Sequence, residues 1–214
     1  MSMDSGAAPS GSRAATRKGT MTKERILRTA AELFARNGYH ATGLSELGQA
    51  VGLGRGALYY HIGSKENLLY ELSARHVQEM VDYGEALLSS PLAAEERFRR
   101  LSRRLMRVIA DNLPELTVFF REINSFSGER HDRMVELRAR FEQVWLQIIG
   151  QGEDEGVFQH GDELTVKAVL GMHNYSYLWI HPTGPLSPEQ IADRFCDVLL
   201  HGLLEPERPA SQGP

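Results

Sequence analysis

From Thr22 to about Glu205, apolar residues return every three or four positions, the period of α-helices that bury one face, and no stretch alternates as a strand would. Ile26, Ala30, Leu33 and Phe34 mark a first helix, which Asn37-Gly38 stops because glycine accepts the left-handed conformation at a helix end. Thr42 is placed to cap a short second helix with Leu44, Leu47 and Val51 inward, and Gly52-Leu53-Gly54 breaks it. A third helix starts at Arg55. With Gly54 as its cap, Leu53 and Leu58 fall at the two positions of a hydrophobic staple, which would fix the angle between helices two and three. Ser64 is the expected cap of a long fourth helix carrying Leu69, Leu72, His76, Met80, Tyr83 and Leu87 on one stripe, with Pro91 beyond it.

Three amphipathic stretches follow: Phe98 to Ile109, Leu116 to Ile123, and Met134 to Ile148. A polar loop is expected around Gly150 to Gly161. Beyond it a helix carries Ala168, Val169, Met172, Tyr175, Ser176 and Trp179, and Pro182 to Pro185 closes it. Ser187-Pro188-Glu189-Gln190 combines a capping box with proline at the first helical position, and opens a last helix along Ile191, Phe195, Val198, Leu199 and Gly202. The fold class is therefore all-α, about nine helices, with a three-helix N-terminal helix-turn-helix domain and a helical-bundle domain after it. The expected divisions are a flexible basic tail over 1–20, a helix-turn-helix domain over 21–67, a larger helical domain over 68–205, and a disordered tail over 206–214.

Charge changes this picture. The formal net charge is −4, yet basic residues outnumber acidic ones up to about Arg75 and the reverse holds beyond, so the sum hides two opposite halves. No run approaches the roughly 20 apolar residues that span a bilayer, and the first residues lack the apolar centre of a secretory signal, so a cytoplasmic protein is expected. The single cysteine, Cys196, lies in an apolar helical pattern and reads as a small buried hydrophobe.

On the third helix Leu58 and Ile62 point inward together, which leaves Arg55, Gly56, Tyr59 and Tyr60 on the opposite face with His61 at its border. Lys65 falls in the first turn of helix four, where the macrodipole disfavours a cation and a phosphate would reverse the sign. Arg13, Arg17, Lys18, Lys23, Arg25 and Arg28 lie just upstream. Together these features fit a helix entering the major groove beside a cationic arm. The segment "ATGLSELGQAVGLGRGALYYHIGSKENLL" resembles the DNA-binding signature of the TetR family through Thr42, Gly52, Leu58, Tyr59, His61, Lys65 and Glu66. The resemblance implies that Thr42, Tyr59 and Lys65 hold phosphates, while Arg55, Gly56, Tyr60 and His61 face base edges or flanking backbone. It departs from the family pattern at Gly48, where alanine is usual, at Gly54, where a capping serine or threonine is common, and at Ile62, where phenylalanine is usual.

The body holds many large flexible or aromatic side chains, enough to line a pocket of a few hundred cubic ångströms or simply to fill a core. The candidates for a ligand wall are Met80, Tyr83, Met106, Phe119, Phe120, Arg121, Phe141, Trp145, Met172, Asn174, Tyr175 and Trp179. The TetR resemblance implies an effector held in this body that releases the protein from a DNA operator. "NYSYLWIHPTGPLSPEQIADRFCDVLLHGL" is similar to family members that respond to acyl-CoA thioesters of lipid and steroid breakdown, for which Arg121, Arg138 and Arg140 are candidate phosphate-binding cations. A xenobiotic or drug-like apolar effector is the alternative. Ala168, Gly171 and Gly202 would let the last two long helices pack against the same pair of a second chain, giving a homodimer that reads a palindrome. No cofactor, metal or membrane partner is expected. The remote alternatives are a helical interaction module and a zinc enzyme using His160, His173 and His181, whose irregular spacing offers no two ligands on one helical turn. Glu153, Asp154 and Glu155 read as a solvated charge run rather than a catalytic set.

Overall fold

Several helices begin or end where backbone groups find a partner. In the computed structural model, which describes residues 11–159 and 161–201 with side chains from Gly19 onward, the described residues form nine α-helices and one 3-10 turn. The first three are α1 (Gly11–Asn37), α2 (Leu44–Val51) and α3 (Arg55–Ile62). The long α4 (Lys65–Leu88) leads into α5 (Ala94–Asp111), α6 (Leu113–Glu122) and α7 (Gly128–Asp154). Then come α8 (Glu163–Asn174), the 3-10 turn (Tyr175–Leu178) and α9 (Pro188–His201). The described residues hold no strand.

The capping predictions divide. Gly38 adopts φ +88° and its N–H donates to the Phe34 carbonyl at 2.9 Å, closing α1 as expected. Ser64 accepts from the Asn67 N–H at 2.9 Å, and the α9 capping box makes both bonds, Ser187 N–H to Gln190 Oε1 at 2.8 Å and Gln190 N–H to Ser187 Oγ at 3.2 Å. Thr42 does not cap α2: Gly43 holds that position without a side-chain bond, and the Thr42 hydroxyl turns back to donate to the Gly38 carbonyl at 2.9 Å.

Three extents also differ from expectation. α1 begins at Gly11 rather than near Thr22, so much of the segment expected as a tail is helical, and residues 1–10 lie outside the described residues. α7 continues through Gly150 and Gly152 to Asp154, where a loop was expected. Gly152 is required there because a Cβ would overlap the Phe158 ring. α8 stops at Asn174, and the apolar run through Trp179 continues as the 3-10 turn and an irregular segment. The acidic run is structural: Glu155 Oε2 accepts the Ala94 N–H at 2.9 Å, capping α5, and Glu153 Oε1 accepts the Gly161 N–H at 2.7 Å. The expected C-terminal tail and Gly202 lie outside the described residues.

In the body α4 packs along α7 and α5 along α9. At Gly84 the first pair approaches so closely that a Cβ would overlap Val144 Cγ1. Trp145 is fully buried against Phe98, with ring centroids 5.2 Å apart. Cys196 is buried and free, and burial pushes its thiol pKa up. Among the described residues no helix is long and apolar enough to cross a membrane.

Candidate DNA-binding and effector sites

Helices α2 and α3 form a helix-turn-helix whose turn is set by backbone bonds. Gly52 adopts φ +69°, its N–H reaches the Gln49 carbonyl at 3.2 Å, and the Leu53 N–H reaches the Gly48 carbonyl at 2.8 Å. Leu58 and Ile62 are buried, which fixes the rotation of α3 and turns Arg55, Gly56, Tyr59 and Tyr60 outward. Tyr60 is 87% exposed and Tyr59 38%, with the Arg55 guanidinium over the Tyr59 ring at 5.6 Å. An apolar ring left in water on such a short helix is what a groove-facing residue looks like. His61 is half-buried beside the Tyr60 ring.

At the start of α4 the Lys65 ammonium lies 4.5 Å from the Tyr39 ring centroid and 5.8 Å from that of Phe34. Partial burial lowers its pKa, against the attraction of Glu122. The cation is thus held by aromatic faces at a helix N-terminus, a place that favours an anion. Thr42 departs from the expected set, because it is buried and its hydroxyl is already bonded within the turn. Lys23 bonds Glu71 at 2.8 Å, Arg25 and Arg28 are exposed, and Arg13, Arg17 and Lys18 have side chains outside the description.

In the body a cavity opens between α4, α5, α6, α7 and α8. His76, Val77 and Met80 form one wall, Leu116, Phe119 and Phe120 another, with Leu105, Val108, Phe141, Leu170 and Asn174 between them. Arg138 and Glu142 stand at its edge. Five of the expected ligand-wall residues are therefore brought together: Met80, Phe119, Phe120, Phe141 and Asn174. Seven are not. Met106 and Trp145 are fully buried core, Met172 is half-buried off the wall, and Tyr175 and Trp179 are mostly exposed. Tyr83 faces a groove with Arg100, Arg103, Arg104 and Arg107, and Arg121 reaches the Ala35 carbonyl at the end of α1 at 3.4 Å. The cavity is about 60 Å³, far below the expected few hundred and below the roughly 150 Å³ that admits benzene.

His76 is the residue of this site that sequence reading assigned only to a helix stripe. Its Nε2 accepts from Arg75 Nε at 3.3 Å, while its buried Nδ1 has no hydrogen-bond partner. The same Arg75 pairs with Glu24 of α1 at 3.1 Å and with the buried Glu115 of α6 at 3.2 Å, so one guanidinium joins the headpiece, α4 and a helix that lines the cavity. The other histidines considered as metal ligands lie apart. His173 is enclosed, its Nδ1–H donating to the Val169 carbonyl and its Nε2 accepting from the Ser102 hydroxyl, both at 2.7 Å, whereas His181 contacts Thr183 in an exposed loop. His160 lies outside the described residues, and among the described residues no three His, Cys, Asp or Glu side chains gather around a common point.

The outer face of α8 carries Leu164, Ala168 and Gly171, exposed at helical spacing and continued by Tyr175 just past its end, and Val198 of α9 and Trp179 are exposed as well. Such a contiguous apolar and small-residue face is unusual for a surface in water.

Residues 26–72 match the family described as "Bacterial regulatory proteins, tetR family", and residues 91–203 match "Tetracyclin repressor-like, C-terminal domain". The transcriptional repressor KstR2 of Rhodococcus jostii (strain RHA1) is 23% identical over 184 residues, covering 85% of this chain and 90% of that one. The solved TetR family regulator PfmR of Thermus thermophilus superposes with a TM-score of 0.79 at 37% identity, covering 85% of this chain and 100% of PfmR. AibR, solved in complex with isovaleryl coenzyme A and operator DNA, has the same fold, with a TM-score of 0.74 at 24% identity over 84% of this chain and 98% of AibR.

Proposed function

This chain belongs to the TetR family of transcriptional regulators, and from that premise we propose that it is a repressor that binds a palindromic operator as a homodimer and leaves it when an apolar effector occupies the α4–α8 cavity. The observation that carries the reading is the connection between the two sites. α6 walls the cavity with Leu116, Phe119 and Phe120, packs along α1, and is tied to the headpiece through Arg75 and Arg121. Widening the cavity therefore displaces the element against which the headpiece rests.

On DNA, α3 enters the major groove. Arg55 is the side chain with the donors to read a guanine edge, Tyr59, Tyr60 and His61 meet flanking backbone or base edges, the Gly56 backbone allows close approach, and Lys65 holds a phosphate at the start of α4. The exposed face of α8 with Val198 of α9 is the dimer contact, which sets two α3 helices about one DNA turn, roughly 34 Å, apart.

For the effector we take an acyl-CoA thioester of lipid or steroid breakdown. Two things support this: the relatives that the chain resembles, KstR2 among them and AibR with its isovaleryl coenzyme A, and an aromatic and aliphatic cavity with Arg138 at its edge for a phosphate. Fluorescence anisotropy against the DNA upstream of the protein's own gene, at fixed salt and with a series of acyl-CoA thioesters, tests it. Tight binding that a thioester abolishes is the expected result. Tight binding that no thioester alters refutes the effector class and leaves the DNA-binding reading intact, while absence of any sequence-preferring binding refutes both.

A further inference from the structure

The cavity wall is apolar except at a few places, and the most buried of these has an unusual feature. His76 is only 6% exposed and lines the cavity, and its two ring nitrogens have opposite fates. Nε2 takes a hydrogen bond from Arg75 Nε at 3.3 Å. A guanidinium can only donate, so Nε2 is the acceptor and carries no proton. In a neutral imidazole the proton then sits on Nδ1. Burial, with the neighbouring Arg75 charge, pushes the pKa down to about 4, so the ring is neutral at physiological pH. Nδ1–H is therefore a donor, buried and without a protein partner. Buried donors are almost always satisfied, and one left orphaned on a residue that lines the cavity calls for an acceptor from the ligand.

We propose that the effector is recognised through a hydrogen bond from His76 Nδ1–H to a neutral carbonyl oxygen, a ketone, ester or thioester, at the buried end of an otherwise apolar molecule. The inference rests on reading this cavity as the effector site. A carboxylate at this end fits less well, since a single neutral donor in an apolar wall does not offset the desolvation of an anion, and the lining's Arg138 stands at the edge of the cavity with Glu142. The wall around it, with Val77, Met80, Leu105, Leu116, Phe119 and Phe141, offers hydrocarbon to the rest of the molecule. The position also has a regulatory consequence: the nitrogen opposite the ligand is held by Arg75, the guanidinium that bonds Glu24 of α1 and Glu115 of α6. An acceptor on Nδ1 polarises the ring and strengthens the Nε2 contact, so the carbonyl communicates with the tie between headpiece and body.

Two measurements on the full-length protein test the proposal. Nitrogen-15 NMR of histidine-labelled protein, with the His76 signals assigned by their loss in His76→Phe, is expected to show the Nδ1–H tautomer. An Nε2–H tautomer overturns the proposal without any ligand. The second uses propiophenone and n-propylbenzene, which share a skeleton and differ by a carbonyl in place of a methylene. The ketone is expected to shift the His76 Nδ1–H resonance while the hydrocarbon does not, and the ratio of their affinities is expected to fall about tenfold in His76→Phe. An unchanged ratio, with both probes still binding and displacing operator DNA, overturns carbonyl recognition and leaves the effector cavity standing. If neither probe binds up to its solubility limit, the cavity reading falls and the proposal with it.

Discussion

Two imidazoles that folding removes from water, His76 and His173, make the stability of this protein fall as the pH drops through the histidine range. Burial pushes each pKa down to about 4 from an ordinary 6.5; the Arg75 charge adds to the effect at His76, and the Val169 carbonyl opposes it at His173. Because each folded pKa lies below the unfolded value, the unfolded chain binds more protons between these two limits. The stabilisation is intact above pH 6.5 and is lost as pH falls towards 4. Working the linkage from those two values, the step from pH 7.5 to 5.5 removes about 1.3 kcal/mol per histidine, and roughly 2.7 kcal/mol for the pair.

Urea unfolding followed by helical circular dichroism, at one protein concentration and at both pH values, measures that drop. His173→Gln suits the comparison because its amide can donate to the Val169 carbonyl and accept from the Ser102 hydroxyl, the two bonds the imidazole makes. His76→Phe removes the other titration. Carboxylates titrating over the same interval are common to every variant and cancel in the comparison. Each single variant is expected to show a drop smaller than wild type by about 1.3 kcal/mol, and the double variant by about 2.7 kcal/mol. A drop equal to that of wild type in either variant refutes the assignment of that histidine as buried and neutral.

Four further outcomes are expected. Lys65→Ala weakens binding to all DNA sequences alike and flattens the dependence of log affinity on log salt by about 0.9 for each protomer, or about 1.8 for the dimer, whereas Arg55→Ala relaxes preference at one base position of each half-site by about 1–3 kcal/mol; equal effects on every sequence from both would sink that division. Gly84→Ala gains about 0.5–1 kcal/mol of helix propensity but overpacks Val144 at a cost of about 1–3 kcal/mol, so urea unfolding should find it destabilised in wild type and not in a Val144→Ala background. Ala168→Glu puts a charge in the exposed face of α8, and sedimentation equilibrium should show dimer dissociation strengthened at least tenfold. Arg75→Gln removes the shared partner of Glu24 and Glu115, and in the anisotropy assay the effector should shift DNA affinity at least fivefold less than in wild type.

Residue periodicity made the helices and the α3 face legible because both depend on local geometry: one stripe inward places Leu58 and Ile62, and Tyr59 and Tyr60 must then be outside. Some of the differences are local too. Thr42 and Gly43 both precede α2, and the hydroxyl of the first had a nearer acceptor in the Gly38 carbonyl. Two glycines near the end of α7 read as a loop, although Gly152 is there to admit the Phe158 ring. The cavity was less legible for a different reason. A pattern shows which side of a helix faces inward, not whether the neighbour it meets fills the space, so Trp145 and Phe141, four residues apart on α7, could not be sorted into core and wall. His76 needed more still, since its orphan nitrogen becomes visible only once Arg75 is known to occupy the other one.

The small size of the cavity bears directly on how an effector could act. A ligand moves a protein between two conformations only by binding them unequally, whatever its absolute affinity. A cavity of about 60 Å³ excludes anything the size of benzene, so an effector discriminates strongly in favour of a widened conformation. Holding open without a ligand even the extra 100 Å³ or so that a benzene-sized group needs would cost about 2.4 kcal/mol at about 24 cal/mol per cubic ångström, which is ample to keep the walls closed. That value falls within the roughly 1–3 kcal/mol typical of coupling between sites, enough for a change in DNA affinity of about 5- to 150-fold. Besides α4, which carries Lys65 at its own start, the wall tied to the headpiece is α6, because it lies against α1 and shares Arg75 with it. On this reasoning, filling the cavity from within should be equivalent to adding effector. Phe120 is half-buried on the α6 wall, and Phe120→Trp, by pressing α6 outward, is expected to weaken operator binding without any ligand, while Phe120→Ala, by making room, is expected to admit effector with a smaller shift in DNA affinity.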